Sequence, residues 1–365
     1  MIRSMFAGVA GLSTHQRKMD VIGNNIANVN TYGYKTAVTN FQESIYQTIS
    51  ASTDGNNVYG GSNPSQIGYG SEVASIDLVF STGAYAPTGQ ATDCMIDGDG
   101  FFIVGPKPGS DDIDDAITNS YSGEEIDGLD PNGNLSSLQL TRYGSFTIDG
   151  DGYLVDKNNY VVYGFFPRGG DVADGFGQNA EDGAPATGTN ELEVDDLILR
   201  PIRLPFRLKG EGANTGLYGG GTVLGDDGED VSEVFDGAGL TGTIERIKMV
   251  SRSITDMGVL VGIDEDTGQQ LKIAKLAIVS VMNPNALEKT QNGYYQIAQN
   301  TGRVRAYESG EGGTGKLKSN GLEMANVDLA KEISDMITTQ RGFQANSKII
   351  TVSDEMLETL INMKR

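Results

Sequence analysis

Four residue patterns in this chain are of types that could do chemistry. The first is a glycine run, Gly310-Glu-Gly-Gly-Thr-Gly315, followed by Lys316. It matches G-x-G-x-x-G and nearly matches a phosphate loop. Such loops work because backbone N–H groups and a helix N-terminus face the phosphates, with a Ser or Thr after the lysine to hold magnesium. Here Leu317 follows the lysine, and Lys318-Ser-Asn-Gly321 breaks any helix that would have to start there. The run reads as a loop. The second pattern is a short repeat, Ile96-Asp-Gly-Asp-Gly-Phe101 and Ile148-Asp-Gly-Asp-Gly-Tyr153. D-x-D-G opens a calcium loop, but the fifth positions are Phe101 and Tyr153 and the twelfth are Pro108 and Tyr160, where oxygen ligands are required. An apolar residue, a tight Asp/Gly turn and an aromatic strand make hairpin chemistry instead.

The third pattern is paired carboxylates: Asp111–Asp115, Glu124–Asp127, Asp226–Asp230 and Asp264–Asp266. General acid–base work needs an apolar setting that separates the two pKa values. These pairs lie in stretches that read as solvated loops. The fourth is the lone histidine, His15, and the lone cysteine, Cys94. One of each rules out an intrachain disulfide and leaves no Cys/His metal set. His15 falls on a helix face, and Cys94 falls in a strand where burial as a small apolar residue is the ordinary outcome. The expectation is no catalytic residue, no cofactor and no metal.

The elements that carry these residues follow from composition and period. The chain has 365 residues, room for two or three domains, and 50 glycines, about double the usual share, which favours turn-rich β-structure. The net charge is −22. Residues 1–40 carry +3 and residues 316–365 carry zero, so the middle holds −25. An acidic middle argues against nucleic acid and anionic membrane as partners. No apolar run approaches ~18 residues, so no membrane insertion is expected. Arg3 followed by Met5–Leu12 imitates a short leader, yet no cleavage site follows and the pattern continues through Ile26, so no cleaved signal is expected.

Both ends are striped. In the C-terminal stretch Leu329, Ile333, Met336, Gln340, Phe343, Ser347, Ile350, Asp354, Leu357 and Ile361 alternate in steps of four and three, an a/d register. Asn326 suits an N-cap, and Lys364 and Arg365 suit the far end of the dipole. In the N-terminal stretch the same alternation runs through Ile2, Met5, Val9, Leu12, Gln16, Met19, Gly23 and Ile26, weakened by Gly8, Gly11 and Gly23. A helix striped this way needs a partner. The partner is the other end of the same chain, or the ends of neighbouring copies. Two amphipathic helices on an ordinary globular core give the same stripes, and spacing alone does not choose.

Between the ends, residues 36–50 read as helix or strand, and 51–70 as an extended connector. Strands are expected around Val73–Phe80, Leu138–Ile148, Tyr153–Phe166, Ile244–Val250, Met257–Ile263 and Leu271–Val281. Leu192–Leu208 should form edge strands because of Pro201 and Pro205. Residues 105–135, 167–190 and 209–241 read as acidic or glycine-rich loops. Asn292–Ile297 and Arg303–Tyr307 read as one hairpin around Asn300-Thr-Gly302.

The two ends carry more than stripes. Gly11-Leu12, Asp20-Val-Ile-Gly-Asn-Asn-Ile-Ala-Asn-Val-Asn-Thr31 and Gly33-Tyr-Lys35 resemble the N-terminal signature of the bacterial flagellar rod and hook proteins. Asn326-Val-Asp-Leu329, Glu332-Ile, Met336-Ile, Gln340-Arg-Gly-Phe-Gln-Ala-Asn-Ser-Lys348 and Asp354-Glu-Met-Leu357 resemble that family's C-terminal signature. Thr88-Gly89, Ile96–Phe102, Thr141-Arg-Tyr-Gly-Ser-Phe146, Gly152–Val155 and Asn283-Pro284 look like its β-domain. The resemblance covers roughly two thirds of the chain and leaves about 156–245 without a recognised motif.

The resemblance implies a mixed fold: all-β central domains, built of nested hairpins or barrel-like, flanked by paired terminal α-helices that form a coiled coil. It implies three parts: a helical assembly domain (1–40 plus 320–365), an inner β-domain with connector (41–148 plus 246–319) and an inserted outer β-domain (149–245). It implies a structural, non-enzymatic subunit of a hollow curved flexible tube outside the cell. The length and the inserted region look like the hook-forming members rather than the shorter distal rod proteins. Implied partners are other copies in a helical homopolymer, the distal rod protein, the hook cap, the hook–filament junction proteins and the flagellar export apparatus. The assembly interface is then Met5, Val9, Leu12, Met19, Ile22, Asn24, Asn25, Ile26 and Asn28 with Leu329, Ile333, Met336, Gln340, Phe343, Ile350, Leu357 and Ile361. Some spirochaete members are cross-linked between a cysteine and a lysine, but Cys94 does not clearly match that position. The rival from another class is a surface enzyme or adhesin with borrowed ends, and the lack of a convergent polar set speaks against an enzyme.

Overall fold

A computed structural model describes residues 2–55, 60–106, 138–150, 152–165, 199–204, 206–209, 217–218, 243–246, 248–265, 268 and 270–363. The expected loops at 105–135, 167–190 and 209–241, Pro205 and the C-terminal Lys364 and Arg365 lie largely or wholly outside them, as does most of the region 149–245. The fold is mixed, with a β-rich centre between an N-terminal and a C-terminal helix. The chain divides into two compact units. One holds residues 1–31, 35–80 and 325–365; the other holds 32–34 and 81–324.

In the first unit, helix α1 spans Ile2–Ala27 and helix α2 spans Leu329–Met363. At about 1.5 Å per residue α2 is about 52 Å long. Its N-cap is Asp328, not Asn326: the Asp328 carboxylate accepts from the backbone N–H of Ala330 at 3.0 Å and of Lys331 at 3.3 Å. Asn326 works elsewhere, as described below. The ambiguous stretch 36–50 is strand. Ala37–Glu43 pairs antiparallel with Ser71–Leu78, and Tyr46–Ser50 pairs with Ser65–Gly68. The connector expected at 51–70 is therefore partly the return arm of a β-ribbon.

The second unit centres on a sheet of 13 strands among the described residues. Val161–Phe165 sits inside it, pairing with Phe101–Gly105, Gln270–Leu276, Leu154–Asp156 and the edge strand Leu199–Pro201. Pro201 is tolerated there because Leu199–Pro201 is an edge strand, with one partner strand among the described residues. The core is apolar: Ile96, Phe102, Phe146, Val162, Ile202 and Ile278 are all fully buried, with Phe102 and Phe146 edge to face at 5.2 Å.

The two Asp/Gly turns differ. Phe146–Ile148 and Leu154–Asp156 form the expected hairpin. Cys94–Asp97 and Phe101–Gly105 do not pair with each other; the first pairs with Lys316–Ser319 and the second with Gln139–Thr141, Val161–Phe165 and Ile278–Val281. Gly98 and Gly100 both take φ +129°, which only glycine accepts readily, and a Cβ on Gly98 would lie 2.8 Å from Gly315. The turn steers the chain into another strand pair instead of folding back. The hairpin expected at 292–307 is likewise two separate pairings. Tyr295–Gln296 joins Glu288–Lys289, and Val304–Tyr307 joins Ile278–Val281. The glycine run ends in a strand, Lys316–Ser319, so no helix N-terminus faces it.

A buried ion pair ties this unit together. Arg142 and Glu323 side chains are each 1% exposed, with nitrogen and oxygen 3.5 Å apart. Arg142 also donates to the Gly98 carbonyl at 2.8 Å and lies over the Phe101 ring. Burial pushes its guanidinium below the ordinary value, and Glu323 opposes that shift. Glu323 accepts from the Gly83 N–H at 2.8 Å, and its backbone carbonyl accepts from Gly33 at 2.8 Å. Removing one member of a buried pair strands the other charge. Glu323→Ala is expected to lower the unfolding free energy in urea by about 3–5 kcal/mol, and the double change Arg142→Met with Glu323→Leu to cost less.

Candidate assembly surface

The site that sequence reasoning points to is the pair of terminal helices, and glycine sets their geometry. A Cβ on Gly11 would lie 2.7 Å from Asn346 Nδ2, and one on Gly8 3.3 Å from Ile350. From the other side, a Cβ on Gly342 would lie 2.7 Å from the His15 ring. The backbones approach where side chains are absent. The propensity that these glycines give up is recovered as close packing.

This approach shifts the seam by one residue on both helices. The row Met5, Leu12, Met19 and Ile26 and the row Met336, Phe343, Ile350 and Leu357 are half-buried. The companion rows read from apolar spacing are mostly not: Val9, Gln16 and Gly23, and Ile333, Gln340 and Asp354, are exposed, while Ser347 is half-buried. Their neighbours are buried instead. On α1 these are Gly8, Gly11, Thr14, Ile22 and Asn25, and on α2 Glu332, Thr339 and Ser353. Counting apolar residues misplaced the inner row because that row is small and polar. The signal was present as the seven-residue spacing from Glu332 to Thr339 and the fourteen from there to Ser353.

The asparagines of the N-terminal signature prove to be internal clasps. Asn25, 1% exposed, donates to the Ala37 carbonyl at 2.9 Å and accepts from the Ala37 N–H at 3.1 Å, fixing the first strand against α1. Asn28 donates to the Asn24 carbonyl at 2.9 Å and to its side chain at 2.8 Å, closing the end of α1. Asn326 accepts from the Thr36 N–H at 2.8 Å and hydroxyl at 2.7 Å, and donates to the Val79 carbonyl at 2.7 Å. Thus Asn25 and Ile22 are spent within the chain, while Asn24 stays exposed.

What the pairing leaves outside is apolar. Val9 is 53% exposed, Leu329 42%, Ile333 50% and Ile361 67%. Phe6, Ile337, Leu360 and Met363 are exposed beside them. Single exposed apolar residues are ordinary, but rows of them along two helices mark an interaction surface.

Comparison with known proteins places the chain in a family. Residues 5–35 match a family profile described as flagella basal body rod protein, and residues 318–363 one described as flagellar basal body rod FlgEFG protein C-terminal. The chain is 32% identical to the flagellar hook protein FlgE of Borreliella burgdorferi, across all of both chains. It belongs to the flagellar rod and hook protein family. It is also 30% identical to the flagellar hook protein FlgE of Treponema pallidum and 32% identical to the flagellar basal-body rod protein FlgG of Bacillus subtilis, again across all of both chains. The family's two signatures thus coincide with α1 and its following turn and with the approach to α2 and α2 itself.

Of the two lone residues singled out, Cys94 is fully buried, and burial pushes its thiol well above the ordinary value. Among the described residues no cluster of His, Cys, Asp or Glu is placed to hold a metal, and no helix is long and apolar enough to cross a membrane. His15 sits between α1, Gly342 of α2 and the Phe41 ring, 6.1 Å away edge-on. Its Nδ1 is buried and has no hydrogen-bond partner among the described residues. Burial first, and Lys18 second, lower its pKa below 6.5.

The sign of the linkage follows. Well above pH 6.5 the ring is neutral in both folded and unfolded chains, and its packing is intact. As pH falls below that value the unfolded chain takes up the proton first, so stability falls. Thermal unfolding is expected to move down between pH 7.5 and 5.5. In His15→Gln that pH dependence should flatten, and the proton NMR titration of the single imidazole should have its midpoint below 6.5.

Proposed function

We propose that this chain is the structural subunit of the flagellar hook. Copies stack helically into a hollow, curved, flexible tube that passes torque from rod to filament. The observation that carries the reading is full-length similarity to hook proteins of two organisms combined with a terminal helix pair whose apolar rows remain uncovered in the single chain. In the tube those rows meet the rows of neighbouring copies. Val9, Leu329, Ile333, Gln340, Ile361 and Asn24 supply the exposed contacts. Met5, Leu12, Met19, Ile26, Asn28, Met336, Phe343, Ile350 and Leu357 flank them while also holding the pair together. The chain performs no catalysis in this reading. The distal rod protein, hook cap and hook–filament junction proteins bound the tube, and the flagellar export apparatus delivers the subunit.

The three-part division also belongs to this proposal. The terminal helices form the assembly part, here together with residues 37–78. The sheet of the second unit forms the inner β-part, and the region through about 245 forms an outer one. A second reading, a distal rod subunit, is favoured by the 32% identity to the rod protein of Bacillus subtilis.

Two measurements decide. Ile333→Asp and Val9→Asp place a charge on an exposed apolar row, where the folded monomer tolerates it. Both are expected to abolish tube formation in electron micrographs while circular dichroism of the monomer is unchanged; tubes of normal length from both would refute the surface. Deleting the gene is expected to leave complete rods that end bare at the cell surface. Rods that stop short would identify a rod subunit instead.

A further inference from the structure

The β-unit carries a groove whose lining lies wholly outside the terminal helices. It is lined by Gln139, Tyr160, Lys289, Thr290, Gln291, Asn292 and Tyr294 and holds about 650 Å³, within the range of about 300–1,000 Å³ for small-molecule sites. Two turns build it, and hydrogen bonds lock them to each other. The Tyr294 hydroxyl donates to Asp156 at 2.5 Å and accepts from the Asn158 amide at 2.7 Å. The rings of Tyr160 and Tyr294 stand edge to face at 5.1 Å. The second turn is set by Asn292 at φ +60° and by Thr290, whose hydroxyl donates to the Tyr294 carbonyl at 3.2 Å.

Two groups in this frame lack their natural partners. Gln139 Oε1 is buried and accepts no hydrogen bond among the described residues. A buried acceptor without a donor costs about 1–3 kcal/mol. Lys289 rests its ammonium 4.1 Å from the centre of the Tyr34 ring and makes no ion pair among the described residues. In a chain of net charge −22 a cation beside a groove with no carboxylate lining it is a local exception. The carboxylate nearest the wall, Asp156, is buried and bonded to the Tyr294 hydroxyl, so Lys289 is the charged side chain in the lining itself.

An aromatic wall, three side-chain amides, a hydroxyl and one cation form a set that suits a sugar ring. The ring's C–H face packs on a tyrosine, its hydroxyls bond the amides, and a carboxylate meets the ammonium. We propose that the groove between the 156–160 and 289–294 turns binds a saccharide bearing a carboxylate.

Titration of the full-length monomer with cellobiouronic acid and with cellobiose tests this, read by calorimetry and by saturation-transfer NMR. The acidic disaccharide is expected to bind more tightly than cellobiose by about fivefold or more. Lys289→Gln should erase that difference, and Tyr160→Leu, which keeps an apolar contact with the core, should weaken both sugars about tenfold, the equivalent of 1.4 kcal/mol. Unchanged melting temperatures confirm that both variants are folded. Three results each overturn the proposal: no binding of either sugar at ~10 mM, equal binding of the two by the parent chain, or binding that neither substitution alters.

Discussion

The constraint on which this molecule depends is the distance between two helix backbones. Gly8, Gly11 and Gly342 bring α1 and α2 closer than side chains would allow, so the row facing the partner is small and polar. A helix has one circumference. If small residues occupy the side nearest its partner, the apolar ones are displaced to the flanks. The single chain therefore cannot cover Val9, Ile333 or Ile361 by folding better. Such a helix pair keeps apolar rows exposed in the single chain. That suits a subunit travelling as one chain and functioning as many.

The second unit shows the opposite economy. Its interior is covered by its own strands, and a buried ion pair sits at its centre. The Glu323 carboxylate accepts from Gly83 and faces Arg142, and its backbone carbonyl takes the Gly33 N–H, so three distant chain segments converge on one residue. A buried pair is weak evidence of net stability, because desolvation offsets the attraction. Its stronger effect is on uniqueness. Any other register of Gly321–Glu323 would leave a charge buried without its partner. The rigid part of the subunit is thus defined by polar specificity on top of an apolar core, and the adhesive part by apolar surface on top of a small polar seam.

Much of this was legible in the sequence, and the failures share a cause. The helices, the β-rich centre and the family signatures read directly, because period and motif are local properties. The seam was displaced by one residue because glycine and small polar residues carry no hydrophobic signal, although they decide which face approaches. The turn at 97–100 was read as a hairpin because its sequence matches that of 149–152. Only packing against Gly315 and the Arg142 contact to the Gly98 carbonyl distinguish the two. Asn326 looked like a cap because asparagine suits that position, yet its amide already serves Thr36 and Val79, which lie some 250–290 positions earlier in the chain. Local chemistry named the residues correctly and could not name their partners.

The same distinction bears on hook against rod. Both kinds of relative match this chain over its full length at equal identity, so that similarity cannot separate a tube that bends from one that does not. A bending tube must let some contacts slide while others hold. Contacts that hold are best made by interlocked small faces such as Gly11 on Asn346, where a displacement of an ångström produces a clash. Contacts that slide are best made by apolar side chains on exposed flanks, which lose little when shifted along a similar surface. This chain places the first kind inside the subunit and the second kind outside it. That arrangement favours flexibility between copies over flexibility within them, and it is the hook, not the rod, that needs it.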